Sequence, residues 1–189
     1  MDANKNKKNS SNYPQRSGWW SVVFWIMLIL GAYYLFEGAL RHNMNPNQKV
    51  QTHKSSKGNT QKKVIVLKRN IYHSYLVSGT LNQKSVIYLV DTGATHVTVP
   101  DHIAKKLKLS YGREGTAHTA NGKVTIYKTI IPEITIGDIK LKNVPGNISA
   151  GLEMDEILLG MSALKHLTIV QQNDKMFLIH YSHQPKGIV

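Results

Sequence analysis

The chain has 189 residues, no cysteine and a formal net charge of +13, which is enough length for one ordinary domain plus appended segments and leaves no disulfide framework, cysteine zinc site or thiol nucleophile. The charge is uneven, since +8 of it lies in residues 1–63, where ten Lys and Arg face only Asp2 and Glu37. No basic face interleaved with stacking aromatics occurs in the remainder, which speaks against a nucleic-acid partner.

Residues 1–18 are a polar, basic tail. Trp19 to Leu40 then form a run whose single charge is Glu37, and as a helix it spans about 33 Å, sufficient to cross a bilayer. Trp19, Trp20 and Trp25 near one end and Tyr33 and Tyr34 near the other match the aromatic belts of membrane interfaces. The run is apolar on every face, unlike a helix that rests on a soluble core. No small-residue cleavage site follows it, so an uncleaved anchor in the lipid bilayer is expected rather than a signal peptide. Four basic residues on each side leave its orientation open. Residues 41–63, rich in Asn, Gln, Lys, Ser and Thr, read as a flexible linker that does not pack on the domain.

From Val64 the pattern changes to short apolar or alternating runs between turn residues, the mark of an all-β domain over 64–189. Strands are predicted at Val64–Leu67, Ile71–Leu81, Ser85–Val90 and Val97–Val99. Pro100 with Ile103 and Leu107 predicts a turn or two of helix. Ala120-Asn121-Gly122 marks a hairpin running into Val124–Ile131, and Gly137-Asp138 marks another between Ile134–Ile136 and Ile139–Leu141. Ile157-Leu158-Leu159-Gly160 reads as a buried strand, Met161–Leu167 as a short helix, and Leu167–Val170 with Met176–Tyr181 as a last hairpin around Asn173-Asp174.

Chemistry concentrates at Asp91-Thr92-Gly93, at the end of the apolar run Val86–Val90. A rigid strand that ends in an exposed carboxylate, followed by a glycine that admits close approach, is a good platform for acid–base catalysis. The bland reading is a turn Asp that satisfies local N–H groups. The triplet alone recurs by composition in a few per cent of chains this long, so the order of motifs has to carry the inference. The nine histidines, His96/His102 and His180/His183 among them, accompany no H-E-x-x-H or comparable ligand set, and no metal or organic cofactor is expected.

Leu89-Val90-Asp91-Thr92-Gly93-Ala94, then Asn121-Gly122, then Leu158-Leu159-Gly160 before a helix, resemble in order the retropepsin-like aspartic proteases of the retroviral type. Val90–Thr95, Thr119–Gly122 and Leu158-Leu159-Gly160-Met161-Ser162 are similar to a bacterial membrane-anchored group within them, over residues 70–181. The resemblance implies an acid-protease β-barrel with one or two short helices behind a single transmembrane helix. It implies catalysis by Asp91, a supporting loop of Thr92, Gly93 and Ala94, and a flap of Ala120, Asn121 and Gly122 over the substrate. Leu158, Leu159 and Gly160 would support the site from behind, and Thr92 would bond across a dimer axis. It also implies a bacterial inner-membrane location with the domain in the periplasm.

Peptide hydrolysis by this route needs two carboxylates around one water, and the chain holds no second Asp-Ser/Thr-Gly. Two copies must then each supply Asp91 across a twofold axis, acting on a protein or peptide substrate. Arg113, His118 and Lys123 near the flap read as a solvated hairpin face or as a mark of an acidic substrate. The C-terminal strand has two options, pairing across the dimer or folding back. Two other functional classes remain: a non-catalytic module that captures a peptide strand, and a tethered assembly factor acting through its membrane run.

Overall fold

The computed structural model describes residues 19–57, 60–119 and 122–183. The chain divides into two compact units, Met1–Ala39 and Leu40–Val189. Helix α1, Trp19–Met44, fills the described part of the first unit and continues into the second. Its apolar stretch Trp19–Leu40 is long and apolar enough to cross a membrane and has no side chains buried in the protein.

The second unit is built on two sheets. The larger orders its strands β3 (Leu76–Leu81), β4 (Lys84–Val90), β9 (Ile157–Leu159), β5 (Val97–Pro100), β8 (Ile139–Ser149), β7 (Gly122–Ile136) and β6 (Glu114–Thr119). It curls back on itself where β3 meets β7, at Thr80↔Thr135 and Leu81↔Ile134. The smaller is antiparallel in the order β1 (Thr52–Lys57), β2 (Thr60–Lys68), β11 (Lys175–His183) and β10 (Thr168–Gln172). Two short helices, α2 (Asp101–Leu107) and α3 (Met161–Leu164), complete the unit.

Strand alternation decides what is buried. In β2, Ile65 and Leu67 are fully buried while Val64 and Val66 are partly exposed; in β11, Met176 and Leu178 point inward beside them. They join Tyr88, Val97, Val99, Ile148, Ile157, Leu159 and Leu164 in one continuous core that both sheets share. Each fully buried Leu or Ile contributes about 1.5–3 kcal/mol of transfer free energy. In β7 the buried set shifts phase around Pro132, from Thr129 and Ile131 to Ile134 and Ile136, so one long strand serves two parts of the core.

The all-β expectation holds, with local differences. Ile71–Leu81 is not one strand: Asn70–Tyr75 makes a turn in which Asn70 Oδ1 accepts from Tyr72 N at 3.0 Å and Ser74 N at 2.9 Å. An asparagine side chain thereby replaces ladder partners, and Ile71 and Tyr72 stay exposed. The helix expected over Met161–Leu167 stops at Leu164, and Leu167 N bonds Leu164 O in the tighter turn that follows. Of the two options left open for the C-terminal strand, it folds back within its own chain, lying between β2 and β10. Lastly, residues 41–63 are not a free linker. β1 pairs with β2 from Thr52↔Ile65 to Lys57↔Thr60, and Asn45 and Asn47 are buried. A polar strand is stable there because it is an edge strand with one face to solvent, pinned where Asp138 N donates to Thr52 Oγ1 at 2.9 Å.

Candidate active site

Strand β4 delivers Asp91 to the surface, and β9 holds that delivery in place. β9 runs parallel to β4, with Leu89↔Leu158 and Val90↔Leu159, and touches β5 on its other side at Thr98↔Leu158. The segment leaving the loop and the segment entering it are therefore both tied to Ile157–Leu159. Leu159 is fully buried and its carbonyl accepts from Asp91 N at 3.2 Å. Tyr75 O accepts from Val90 N at 3.0 Å, fixing the last strand residue from the opposite side.

The turn is organised by its own aspartate. Gly93 N donates to Asp91 Oδ1 at 2.9 Å and Ala94 N to Asp91 O at 3.4 Å. One carboxylate oxygen is thus fixed while Asp91 stays partly exposed, and Thr92 and Gly93 are exposed. A carboxylate held this way can orient and deprotonate a water, but one carboxylate cannot also stabilise the developing oxyanion.

Gly160 explains how β9 and α3 come so close to the loop. A Cβ on Gly160 would lie 2.6 Å from Ala94 O and would collide with His96 O. With only hydrogen there, the backbones touch: Met161 N donates to Ala94 O at 2.7 Å and Ser162 N to Thr95 O at 2.9 Å. Ser162 Oγ then accepts from Val97 N at 2.9 Å within the core. Leu158, Leu159 and Gly160 thus lie against the Asp91 loop. The roles of Ser162, Tyr75 O and His96 O were not foreseen, because two act through backbone atoms and the third is a common residue in a common place.

The β6–β7 hairpin is present, paired from Glu114↔Tyr127 to Thr119↔Gly122. Gly122 has φ of 108°, a conformation that glycine adopts without strain, and its carbonyl accepts from Thr119 Oγ1 at 2.9 Å. Ala120 and Asn121, the expected tip, lie outside the described residues. Arg113, His118 and Lys123 are all exposed, as in a solvated hairpin face. At the base of this arm Tyr111 stacks edge-on against Tyr127, with ring centroids 5.5 Å apart. Its hydroxyl donates to Asp101 Oδ1 at 2.8 Å. The Lys105 ammonium, first, and that bond hold the Asp101 carboxyl below the usual range. Burial and the same aspartate push the Tyr111 phenol up to about 12. Among the described residues no three His, Asp or Glu side chains gather as a metal site would require.

Comparison with known proteins agrees with this geometry. The profile of the gag-polyprotein putative aspartyl protease family matches residues 77–166. A solved retropepsin-like aspartic protease from Rickettsia conorii superposes with a TM-score of 0.54 at 25% identity, over 68% of this chain and 98% of that one. An uncharacterized Sinorhizobium protein is 31% identical over 110 residues, 57% of this chain and 47% of its own length. An uncharacterized Rickettsia prowazekii protein is 27% identical over 167 residues, 86% of this chain and 69% of its own. The chain therefore matches under half the length of the Sinorhizobium relative. The matched stretch runs from β3 through the Asp91 loop, the hairpin arm and β9 to α3, so that in sequence over residues 77–166 and in fold the chain is similar to the retropepsin-like aspartic proteases.

Proposed function

We propose that the chain is an aspartic endopeptidase that works as a homodimer, each copy supplying one Asp91, and that residues 19–40 anchor it in a bacterial inner membrane with the folded domain in the periplasm. The observation that carries this reading is the exposed Asp91 loop of a retropepsin-like fold in a chain with one Asp-Thr-Gly. Domain organisation is read as a tail over 1–18, the anchor over 19–40, and a protease unit that begins by Asn45.

The chemistry follows from pairing two such loops. Carboxylates a few Å apart cannot both ionise, so the pair keeps one shared proton and titrates as a unit. The ionised member takes a proton from a water as its oxygen attacks the scissile carbonyl carbon. The protonated member hydrogen-bonds the carbonyl oxygen and passes its proton to it, so that this oxygen becomes the second hydroxyl of a tetrahedral diol and the pair still holds one proton, the one taken from water. Collapse of the diol breaks the C–N bond: the pair gives its proton to the leaving nitrogen, and one diol hydroxyl returns a proton to the pair as the new carbonyl forms, which restores the shared-proton state. In this reading Thr92 bonds to the partner loop and holds the carboxylates coplanar, Gly93 leaves room for the substrate backbone, and Ala94 completes the loop. Ala120, Asn121 and Gly122 cover the bound peptide.

The test uses the full chain in lipid vesicles and a diverse peptide library between about pH 4 and 7, the range for a shared-proton pair. Activity is expected to fall when added lipid dilutes the protein in the bilayer. It should be lost, by three orders of magnitude or more, in Asp91→Asn. Adding excess Asp91→Asn to wild type should poison it through mixed dimers. Undiminished proteolysis by Asp91→Asn would sink the proposal.

A further inference from the structure

Immediately after the apolar run, the chain is strapped to the protease unit by three asparagines. Asn45, Asn47 and Asn70 are each under a tenth exposed. The amide of Asn47 serves both neighbouring strands: Nδ2 donates to Lys68 O at 2.9 Å and Leu76 O at 2.7 Å, and Oδ1 accepts from Lys68 N at 2.7 Å. Its backbone takes part as well, since Asn47 O accepts from Ser78 N at 3.3 Å and Asn47 N donates to Asn45 Oδ1 at 3.0 Å. Asn45 Nδ2 reaches Ser78 Oγ at 3.1 Å, and Asn70 Nδ2 donates to Met44 O at 3.0 Å.

This strap occupies a specific gap. β3 bonds β7 at Thr80 and Leu81, and among the described residues no second strand joins β4 in pairing with Leu76–Gly79; Asn47 takes up Leu76 O and Ser78 N there instead. One strand further in is β4, where Leu89 faces Leu76 and Val90 N is held by Tyr75 O. The strap is thus one strand removed from the strand that carries Asp91.

Its consequence is reach. A coil over 41–63 would let the domain roam several tens of Å, since its contour extends about 3.5 Å per residue. With Asn45 docked, only Arg41–Met44 separate Leu40 from the folded unit, about 18 Å of chain even when fully extended. We propose that Met44–Gln48 is a short membrane-side strap. It confines cleavage to extended segments near the bilayer, so the substrates are the juxtamembrane stretches of other membrane-inserted proteins. This rests on the membrane-anchored protease reading above.

The experiment uses the full chain in vesicles, with one cleavable sequence selected from a random peptide library. That sequence is placed in single-span reporters close to the bilayer or raised about 60 Å on a rigid helical spacer of about 40 residues, and is also offered as free peptide. The near reporter is expected to be cut at least tenfold faster than the raised one. A flexible insertion of about twenty Gly and Ser residues between Leu40 and Arg41 should abolish that preference while free-peptide cleavage is unchanged. Hydrogen exchange supplies a readout independent of activity: the Lys68 and Ser78 amides should be protected in wild type and lose protection in Asn47→Ala. Equal cutting of near and raised reporters by wild type, or unprotected amides at Lys68 and Ser78, overturns this inference alone. Absence of Asp91-dependent cleavage of every substrate, free peptide included, overturns the protease reading and this inference with it.

Discussion

The Asp91 loop and the Asn45–Gln48 strap are both irregular segments held at the ends of strands, but they are held by opposite means. In the loop, backbone meets backbone, and the requirement on sequence is a missing side chain: Gly160 admits Ala94 O and His96 O where a Cβ would collide. In the strap, side-chain amides stand in for a strand, and the requirement is a particular side chain, with Asn47 making three side-chain hydrogen bonds to Lys68 and Leu76. Steric exclusion tolerates no substitution. Hydrogen-bond replacement tolerates only a group with both a donor and an acceptor of the same reach.

The strongest test of that contrast is Gly160→Ala. The new methyl has backbone atoms on its near side, not the end of a flexible side chain, so relief requires α3 and the loop to part. A loss of about 3 kcal/mol is expected, the upper part of the range for overpacking, read as a shift of the denaturant midpoint with unchanged slope. The proposed proteolytic activity should fall beyond what the lost stability accounts for, because Met161 N and Ser162 N would no longer hold the loop carbonyls. A variant as stable as wild type would show that the close approach is not needed.

Breaking the strap should cost less. Asn47→Ala leaves Lys68 N and two carbonyls without their buried partner, at roughly 1–3 kcal/mol for an unsatisfied group, softened by water entering at the edge. A loss of about 2 kcal/mol is expected from denaturant unfolding. Asn47→Asp sharpens the point, since it is isosteric and retains the acceptor for Lys68 N but turns a negative oxygen toward Leu76 O and Lys68 O. It should be at least as damaging as alanine. If Asn47→Asp proved harmless, the strap would be held by its backbone and not by its amide.

The same contrast explains what could be read in advance. Asp91-Thr92-Gly93 and Leu158-Leu159-Gly160 stood out in the sequence through the order of the motifs, since each triplet alone is ordinary; the structure adds the reason that Gly160 has no Cβ. β2, β4 and β9 were legible because burial imposes alternation or a continuous apolar run, whereas β7 was read as two pieces because its buried phase shifts around Pro132. Nothing comparable marks β1: Thr-His-Lys-Ser-Ser-Lys is polar throughout because an edge strand can be. The strap was misread for a deeper reason, since asparagine is common in disordered linkers for the same hydrogen-bonding capacity that it uses at Asn45 and Asn47. Ile71 and Tyr72 misled in the opposite direction, apolar residues left exposed because Asn70 closes a turn around them.

A third kind of polar group, buried and without a partner, gives the smallest effect. His180 on β11 pairs in register with Lys63, and its Nδ1 is buried with no hydrogen bond. Desolvation, and then the charges of Lys63 and His166, hold its pKa below the ordinary 6.5. The folded chain therefore binds fewer protons here than the unfolded chain does between that lowered value and 6.5. Stability contributed by the neutral ring is complete above the unfolded value and declines as pH falls from about 6.5 toward the folded pKa, below which it changes no further. His180→Phe should remove that part of the acid sensitivity, narrowing the gap between denaturant midpoints at about pH 7.5 and about pH 5. Because the ring is partly open to solvent, the narrowing will be small. A gap that stays the same would mean that water already satisfies Nδ1, and that His180 is partnered as the amide of Asn47 is, by solvent in place of backbone.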